Sequence, residues 1–102
     1  MSATVRYSPT ALKDLERVWA DVFAASRDTD LTRTYLSELM DRVESYAGFP
    51  RSASPLYYEN RFTGYYYVVF KAYLAFFRAE SDQLLVDRVL YGKSDYLRTL
   101  LG

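Results

Sequence analysis

Three short apolar runs lie between Gly64 and Asp95: Tyr65–Phe70, Tyr73–Arg78 and Leu84–Tyr91. Two polar breaks separate them, and Tyr, Phe and Val dominate them. Runs of this length and composition read as strands, and the brevity of the breaks makes them two consecutive hairpins. The last run leads directly into a polar knot, Tyr91-Gly92-Lys93-Ser94-Asp95.

Alternation along a strand sets Tyr65, Tyr67 and Val69 on one face, and Tyr66, Val68 and Phe70 on the other. By the same rule Arg88 falls with Leu84, Val86 and Leu90, while Asp87 falls with Leu85, Val89 and Tyr91. Neither face is cleanly polar. One is expected to pack on helices and the other to be aromatic and partly open, a surface that invites a partner. The Lys71-Ala72 break lacks the Gly or Asn that a primed two-residue turn favours. Either that loop is longer, or one residue is held left-handed at about 1–2 kcal/mol. Glu80-Ser81-Asp82-Gln83 reads as an ordinary polar loop.

The N-terminal half has a different period. Ala3–Tyr7 reads as a short strand. Ser8-Pro9 is a helix start, with Ser as cap and Pro preorganised for the first position. Ala11, Leu12, Leu15, Val18, Trp19, Val22 and Phe23 recur at helical spacing, predicting a helix over 9–26 with Trp19 in its core stripe. Lys13, Asp14, Arg17 and Asp21 occupy the opposite face. Arg27-Asp28-Thr29-Asp30 is a polar link. A second stripe of Leu31, Tyr35, Leu36, Leu39, Met40, Val43 and Tyr46 or Ala47 follows, with Met40 in the core. Gly48 stands where a C-cap is expected, and Pro50 blocks continuation. So short a link makes the two helices an antiparallel hairpin. Their stripes need a partner, and the sheet is the large apolar surface left.

Phe49–Phe62 reads mainly as loop. Leu56-Tyr57-Tyr58 is a candidate edge segment, and Glu59-Asn60-Arg61 is solvated polar chain. The expected fold is α+β: an N-terminal strand, then an antiparallel helical hairpin packed on a small, mainly antiparallel sheet, in the order β-α-α-β-β-β. A chain of 102 residues reads as one domain, 1–102.

Composition narrows the chemistry. Lys plus Arg number 13 and Asp plus Glu number 13, so the formal charge is zero. That argues against nucleic-acid binding by bulk electrostatics, though a local basic patch remains open. The chain has no Cys and no His. Disulfides, thiolate chemistry and the commonest general base are therefore absent. No cationic leader or membrane-length apolar stretch is present, so the expected location is the cytoplasm, with no membrane partner.

The signposts occur in a telling order: Tyr7-Ser8-Pro9 with Ala11 and Asp14-Leu15, Pro50 after the second helix, Gly64-Tyr65, Tyr73-Leu74 with Phe77-Arg78, then Arg88 through Asp95 with Leu100-Leu101. Together they resemble the RelE/ParE superfamily, the toxins of type II toxin–antitoxin modules. The resemblance implies a small cytoplasmic toxin, neutralised by a cognate antitoxin that wraps it with a helix and an extended segment. RelE-like members are similar to ribosome-dependent ribonucleases. ParE-like members are similar to inhibitors of DNA gyrase with no catalysis of their own.

In mRNA-cleaving members an Arg that grips the scissile phosphate usually opens the strand after the first tight turn; here that position is Tyr73. At the end of the last strand the family commonly has His or a polar residue before Gly-Arg-Arg-Asp. Here Gly92 and Asp95 match, Lys93 keeps a charge, Ser94 loses one, and Tyr91 stands at the first position. Glu59 is near the acidic base of some relatives but out of register.

Metal-free RNA cleavage needs a proton acceptor for the 2′-hydroxyl, cations for the phosphorane and an acid for the leaving oxygen. The candidate cations are Arg61, Lys71, Arg78, Arg88 and Lys93. Tyr91, Tyr96 and Glu59 are the candidate proton movers. The resulting expectation is a toxin that inhibits translation by ribosome-dependent mRNA cleavage, partnered by ribosome and mRNA. Arg88, Tyr91 and Lys93 are its expected catalytic residues, and Arg61, Lys71, Tyr73 and Arg78 bind substrate. No cofactor or metal is expected. Two alternatives stand beside it: a ParE-like, non-catalytic inhibitor of DNA gyrase, and an inert antitoxin-binding module. Individual residues also have plain structural readings. A lone Arg88 in an apolar strand needs a partner or an open groove, and a neighbouring acid would supply the first. Lys93 and Asp95 can pair across their turn.

Overall fold

A computed structural model describes residues 4–102. The chain runs β1 (Thr4–Tyr7), α1 (Pro9–Ser26), α2 (Thr29–Glu44), a 3₁₀ turn (Pro50–Ser52), β2 (Ser54–Tyr58), β3 (Arg61–Phe70), β4 (Tyr73–Glu80), β5 (Gln83–Tyr91) and α3 (Tyr96–Leu101). Ala3, expected in the first strand, lies outside the described residues.

The helix boundaries follow from local chemistry. The Ser8 hydroxyl accepts the Ala11 N–H at 2.9 Å, and Pro9 opens α1. The helix ends where Arg27 turns left-handed (φ 56°) and donates its N–H to the Phe23 carbonyl. One residue later Asp28 caps α2 by accepting the Leu31 N–H at 3.0 Å. The α2 helix ends before Gly48, the expected cap. The Tyr46 and Ala47 N–H groups bond the carbonyls of Val43 and Glu44, three residues back, which tightens the last turn and closes the helix early.

The five strands lie in the order β1-β5-β4-β3-β2, with β1 parallel to β5 and the other neighbours antiparallel. This matches the α+β expectation and adds to it. The segment read mainly as loop holds β2, an edge strand that includes the candidate edge segment Leu56-Tyr57-Tyr58, and the first part of β3, joined at Glu59-Asn60. Both of these residues have positive φ (52° and 66°), as a primed hairpin turn demands. Phe70 pairs with Tyr73, so the Lys71-Ala72 link is a true two-residue turn, and Lys71 takes the left-handed conformation at φ 52°. Glu80 pairs with Gln83 in the same way around Ser81 at φ 50°, so the expected ordinary loop is a tight turn.

One irregularity corrects the face assignment in β5. Phe76 pairs with Arg88 but Phe77 with Val86, so Asp87 is an extra, bulged residue. A bulge breaks strict alternation. Leu84 and Val86 therefore share the helix-side core with Val89, while Leu90 packs on the opposite face with Leu74 and Phe76.

The helix-side core joins Leu15, Val18, Leu39 and Val43 to Val68, Phe70, Phe77 and Val86. The other face is aromatic and partly open, as expected, with Val69 exposed, but part of it is covered. The short helix α3 lies over it, setting Tyr96, Leu97 and Leu100 against Leu56, Leu74, Phe76 and Leu90. Phe76 is fully buried, with its ring centre 5.5 Å from that of Tyr96. A second correction concerns α1. Its apolar stripe is wider than the surface that α2 and the sheet can cover. Leu12 stays 50 % exposed and Trp19 36 %, so Trp19 is a rim residue and not core.

Candidate functional site

The site is built where β1 stops. That strand pairs with β5 only as far as Tyr7 opposite Val86, leaving the next stretch of the β5 edge without a strand partner. The start of α1 takes over. The Ser8 N–H donates to the Val86 carbonyl at 2.9 Å, and its hydroxyl donates to the Asp87 carbonyl at 2.8 Å. Two turns into the helix, Asp14 accepts the Val89 N–H at 3.0 Å. The same carboxylate takes both arms of Arg88, Nε at 2.8 Å and a terminal nitrogen at 3.1 Å.

Asp14 is only 2 % exposed, so its assignment to the outer polar face of the helix is corrected. A buried edge N–H requires an acceptor, and a carboxylate directed inward supplies one while neutralising the arginine beside it. The Asp14 hydrogen bonds push the Arg88 guanidinium pKa upward, against the opposing effect of its partial burial.

Beside this pair lies a cleft of about 270 Å³, lined by Arg17, Asp21, Tyr73, Arg88, Tyr91 and Ser94 among others. Tyr73 and Tyr91 are direct partners across β4 and β5, with ring centres 5.8 Å apart and nearly perpendicular. Tyr73 is buried, and its hydroxyl makes a long contact of 3.4 Å to an Asp21 oxygen. Burial, reinforced by the Asp21 charge, pushes the Tyr73 phenol up to about 12. Tyr91 stands open at the mouth.

The polar knot is pinned to the neighbouring turn. The Gly92 N–H donates to the Ala72 carbonyl at 2.8 Å, and a side chain at Gly92 would put its Cβ 3.2 Å from that oxygen. Ser94 donates both its N–H and its hydroxyl to the Tyr91 carbonyl. Lys93 is exposed on this turn and makes no ion pair with Asp95, the structural alternative open for the two.

Of the residues singled out from sequence, the cleft gathers Tyr73, Arg88 and Tyr91. Lys93 and Lys71 flank it on adjoining turns, and the Lys71 ammonium lies over the Tyr35 ring, 4.9 Å from its centre. Arg78 is elsewhere. It sits five residues along β4, roughly 16 Å away at strand spacing, bound to Asp87 at 2.9 Å and Glu80 at 3.1 Å. Arg61 and Glu59 belong to the β2–β3 turn at the far end of the sheet, and Tyr96 packs on Phe76 under α3. Sequence reasoning left Asp14 and Asp21 out of the site. The signal for Asp14 was the unpaired arginine in an apolar strand; nothing local marked Asp21. Among the described residues no three acidic side chains converge as a metal site, and no helix is long and apolar enough to cross a membrane.

The family model described as the ParE toxin of the type II toxin–antitoxin system parDE matches residues 5–96. The chain belongs to the ParE toxin family. It is a type II toxin of the RelE/ParE superfamily, and the family match runs from the second residue of β1 to the first residue of α3. Among solved structures, it is similar to a chain of the chromosomal ParDE TA system from P. aeruginosa. That likeness has a TM-score of 0.71 at 12 % identity and covers 88 % of this chain and 96 % of that one. It is also similar to a chain of the toxin–antitoxin complex RelBE2 from Mycobacterium tuberculosis, with a TM-score of 0.62 at 19 % identity, covering 89 % and 92 %. No curated protein matches this ParE-family chain.

Proposed function

We propose that this ParE-family toxin acts by binding its target without cutting RNA, that the target is DNA gyrase, and that a cognate antitoxin holds it in check. The observation that carries the reading is the state of Arg88. Its Nε–H and one terminal N–H are bound to a buried carboxylate that neutralises its charge, so it offers no uncompensated cation to a phosphorane. Where an mRNA-cleaving relative usually has an arginine there is Tyr73, whose phenol, pushed up to about 12 by burial, is neutral near pH 7 and supplies no cation. Of the other cations singled out from sequence, Lys71 and Lys93 lie outside the cleft on exposed turns, while Arg17 of α1 lines its wall. The gyrase target follows the ParE-like side of the resemblance, and the family match favours that side. The antitoxin partner is supported by the two solved neighbours, which come from a ParDE TA system and a toxin–antitoxin complex. A gyrase target puts the site of action in the cytoplasm.

The test is direct. The purified chain is added to gyrase supercoiling a relaxed plasmid, and in parallel mRNA 5′ ends are mapped after induction in cells. Inhibited supercoiling with intact mRNA is the expected result. Cuts positioned by codon, with gyrase unaffected, would return the ribonuclease reading in its place.

A further inference from the structure

We infer that the groove passing Asp21 is where the antitoxin seats a basic side chain beside an aliphatic one. This inference rests on the antitoxin reading above. Asp21 and Tyr73 line two adjoining clefts. One is the polar cleft already described. The other, of about 380 Å³, lies on the opposite side of the Asp21–Tyr73 contact and is walled by Val22, Leu31 and Tyr35. Leu31 is 48 % exposed on its rim, so an apolar wall faces solvent next to a carboxylate.

The charge at this junction is uncompensated. Asp14, the other acid of the region, is neutralised by Arg88. Asp21 is exposed and forms no ion pair among the described residues. Its one side-chain hydrogen bond comes from the Tyr73 hydroxyl at 3.4 Å, long for an O–H···O contact. Arg17, one helical turn earlier on the same helix, also lines the polar cleft and forms no ion pair with Asp21. Lys71 rests on Tyr35 from the turn side and meets no carboxylate.

A carboxylate with an aromatic wall on one side and an aliphatic wall on the other matches one kind of occupant: a peptide segment carrying Lys or Arg next to a branched apolar side chain. The cation meets Asp21 and the electron-rich ring of Tyr73, while the apolar neighbour covers Leu31. A neutral or acidic segment would leave the Asp21 charge buried and unpaired under the partner, which costs binding energy.

The antitoxin to be used is the protein that copurifies with this chain when its gene is expressed with its flanking sequence, and its affinity is measured by calorimetry at low and high salt. Asp21→Asn, at an exposed position and still able to accept the Tyr73 hydroxyl, is expected to weaken binding at least about tenfold at low salt and to flatten the salt dependence. Leu31→Ser is expected to weaken binding without changing that dependence. Asp21→Lys is expected to abolish binding, and a Lys→Glu or Arg→Glu change at one antitoxin position to restore it. Affinity of Asp21→Asn within about twofold of wild type at both salts overturns the inference while leaving the antitoxin reading intact. Failure of the wild-type chain to bind such a protein overturns both.

Discussion

Asp14 and Arg88, 74 residues apart in sequence, meet through two hydrogen bonds of 2.8 and 3.1 Å, and the same carboxylate holds the Val89 N–H at 3.0 Å. One side chain on the first helix thus closes the exposed edge of the last strand and neutralises its arginine. Removing the acid leaves a part-buried guanidinium and a buried N–H without partners. Asp14→Ala is expected to lower stability by about 3–5 kcal/mol, measured by urea denaturation. Replacing both residues, Asp14→Leu with Arg88→Met, is expected to recover a large part of that loss, because no unpaired charge remains. A double variant no better than the single one would show that the Val89 N–H, and not the charge, sets the cost.

The raised Tyr73 phenol makes a statement about alkaline stability. Its folded value lies above its ordinary value of 10.0, so the neutral form is favoured by folding. The associated stability is fully present below pH 10 and is lost as pH rises toward about 12. Urea midpoints measured from pH 9 to pH 11.5 are expected to fall for the wild type and to fall less steeply for Tyr73→Phe. Parallel slopes would assign the alkaline loss to other groups, of which Tyr7, also pushed up to about 12 by burial and the nearby Glu44 and Asp41 charges, is the first to examine.

Phe76 measures what α3 does. The ring is fully buried between β4 and the C-terminal helix. Phe76→Ala is expected to cost about 3–5 kcal/mol, since the cavity sits under a six-residue helix and rigid strands on the other side. Deleting residues 96–102 exposes the same face, with a gain in binding of a hydrophobic dye as the readout.

Ser81 is a non-glycine residue at φ 50° in the tight β4–β5 turn, exposed and without a side-chain hydrogen bond. Ser81→Gly relieves left-handed strain of about 1–2 kcal/mol and gives back part of it as extra freedom in the unfolded chain. The expected net gain is about 0.5–1 kcal/mol, read as a rise of a few degrees in melting temperature. The equivalent change at Lys71, Lys71→Gly, is expected to gain less, because it also removes the ammonium lying over Tyr35 and Phe70.

Periodicity and punctuation were enough to place α1, to find α2 and to locate four of the five strands. These elements are specified by neighbours in sequence: Ser8 and Asp28 as caps, Pro9 at a helix start, and Tyr, Phe and Val in alternation. The β2–β3 hairpin was harder to read because Glu59-Asn60 is an unusual primed turn with Glu in a left-handed position. The α3 helix was missed because six residues show no full period. Its existence depends on Leu97 and Leu100 finding Phe76 beneath them.

The candidate site divides along the same line. Sequence alone determined the family outline, the absence of His and Cys chemistry, and the departures at Tyr73, Tyr91 and Ser94, because those are properties of residue identity and order. Only the tertiary structure decided what the charged residues do. The bulge at Asp87 reverses which face each later residue of β5 occupies. The early end of β1 leaves an edge that Asp14 must satisfy, and Arg88 thereby becomes half of an ion pair. Asp21 and Arg17 are left in the cleft without ion-pair partners among the described residues. A side chain's availability depends on partners distant in sequence, and local pattern carries no record of them.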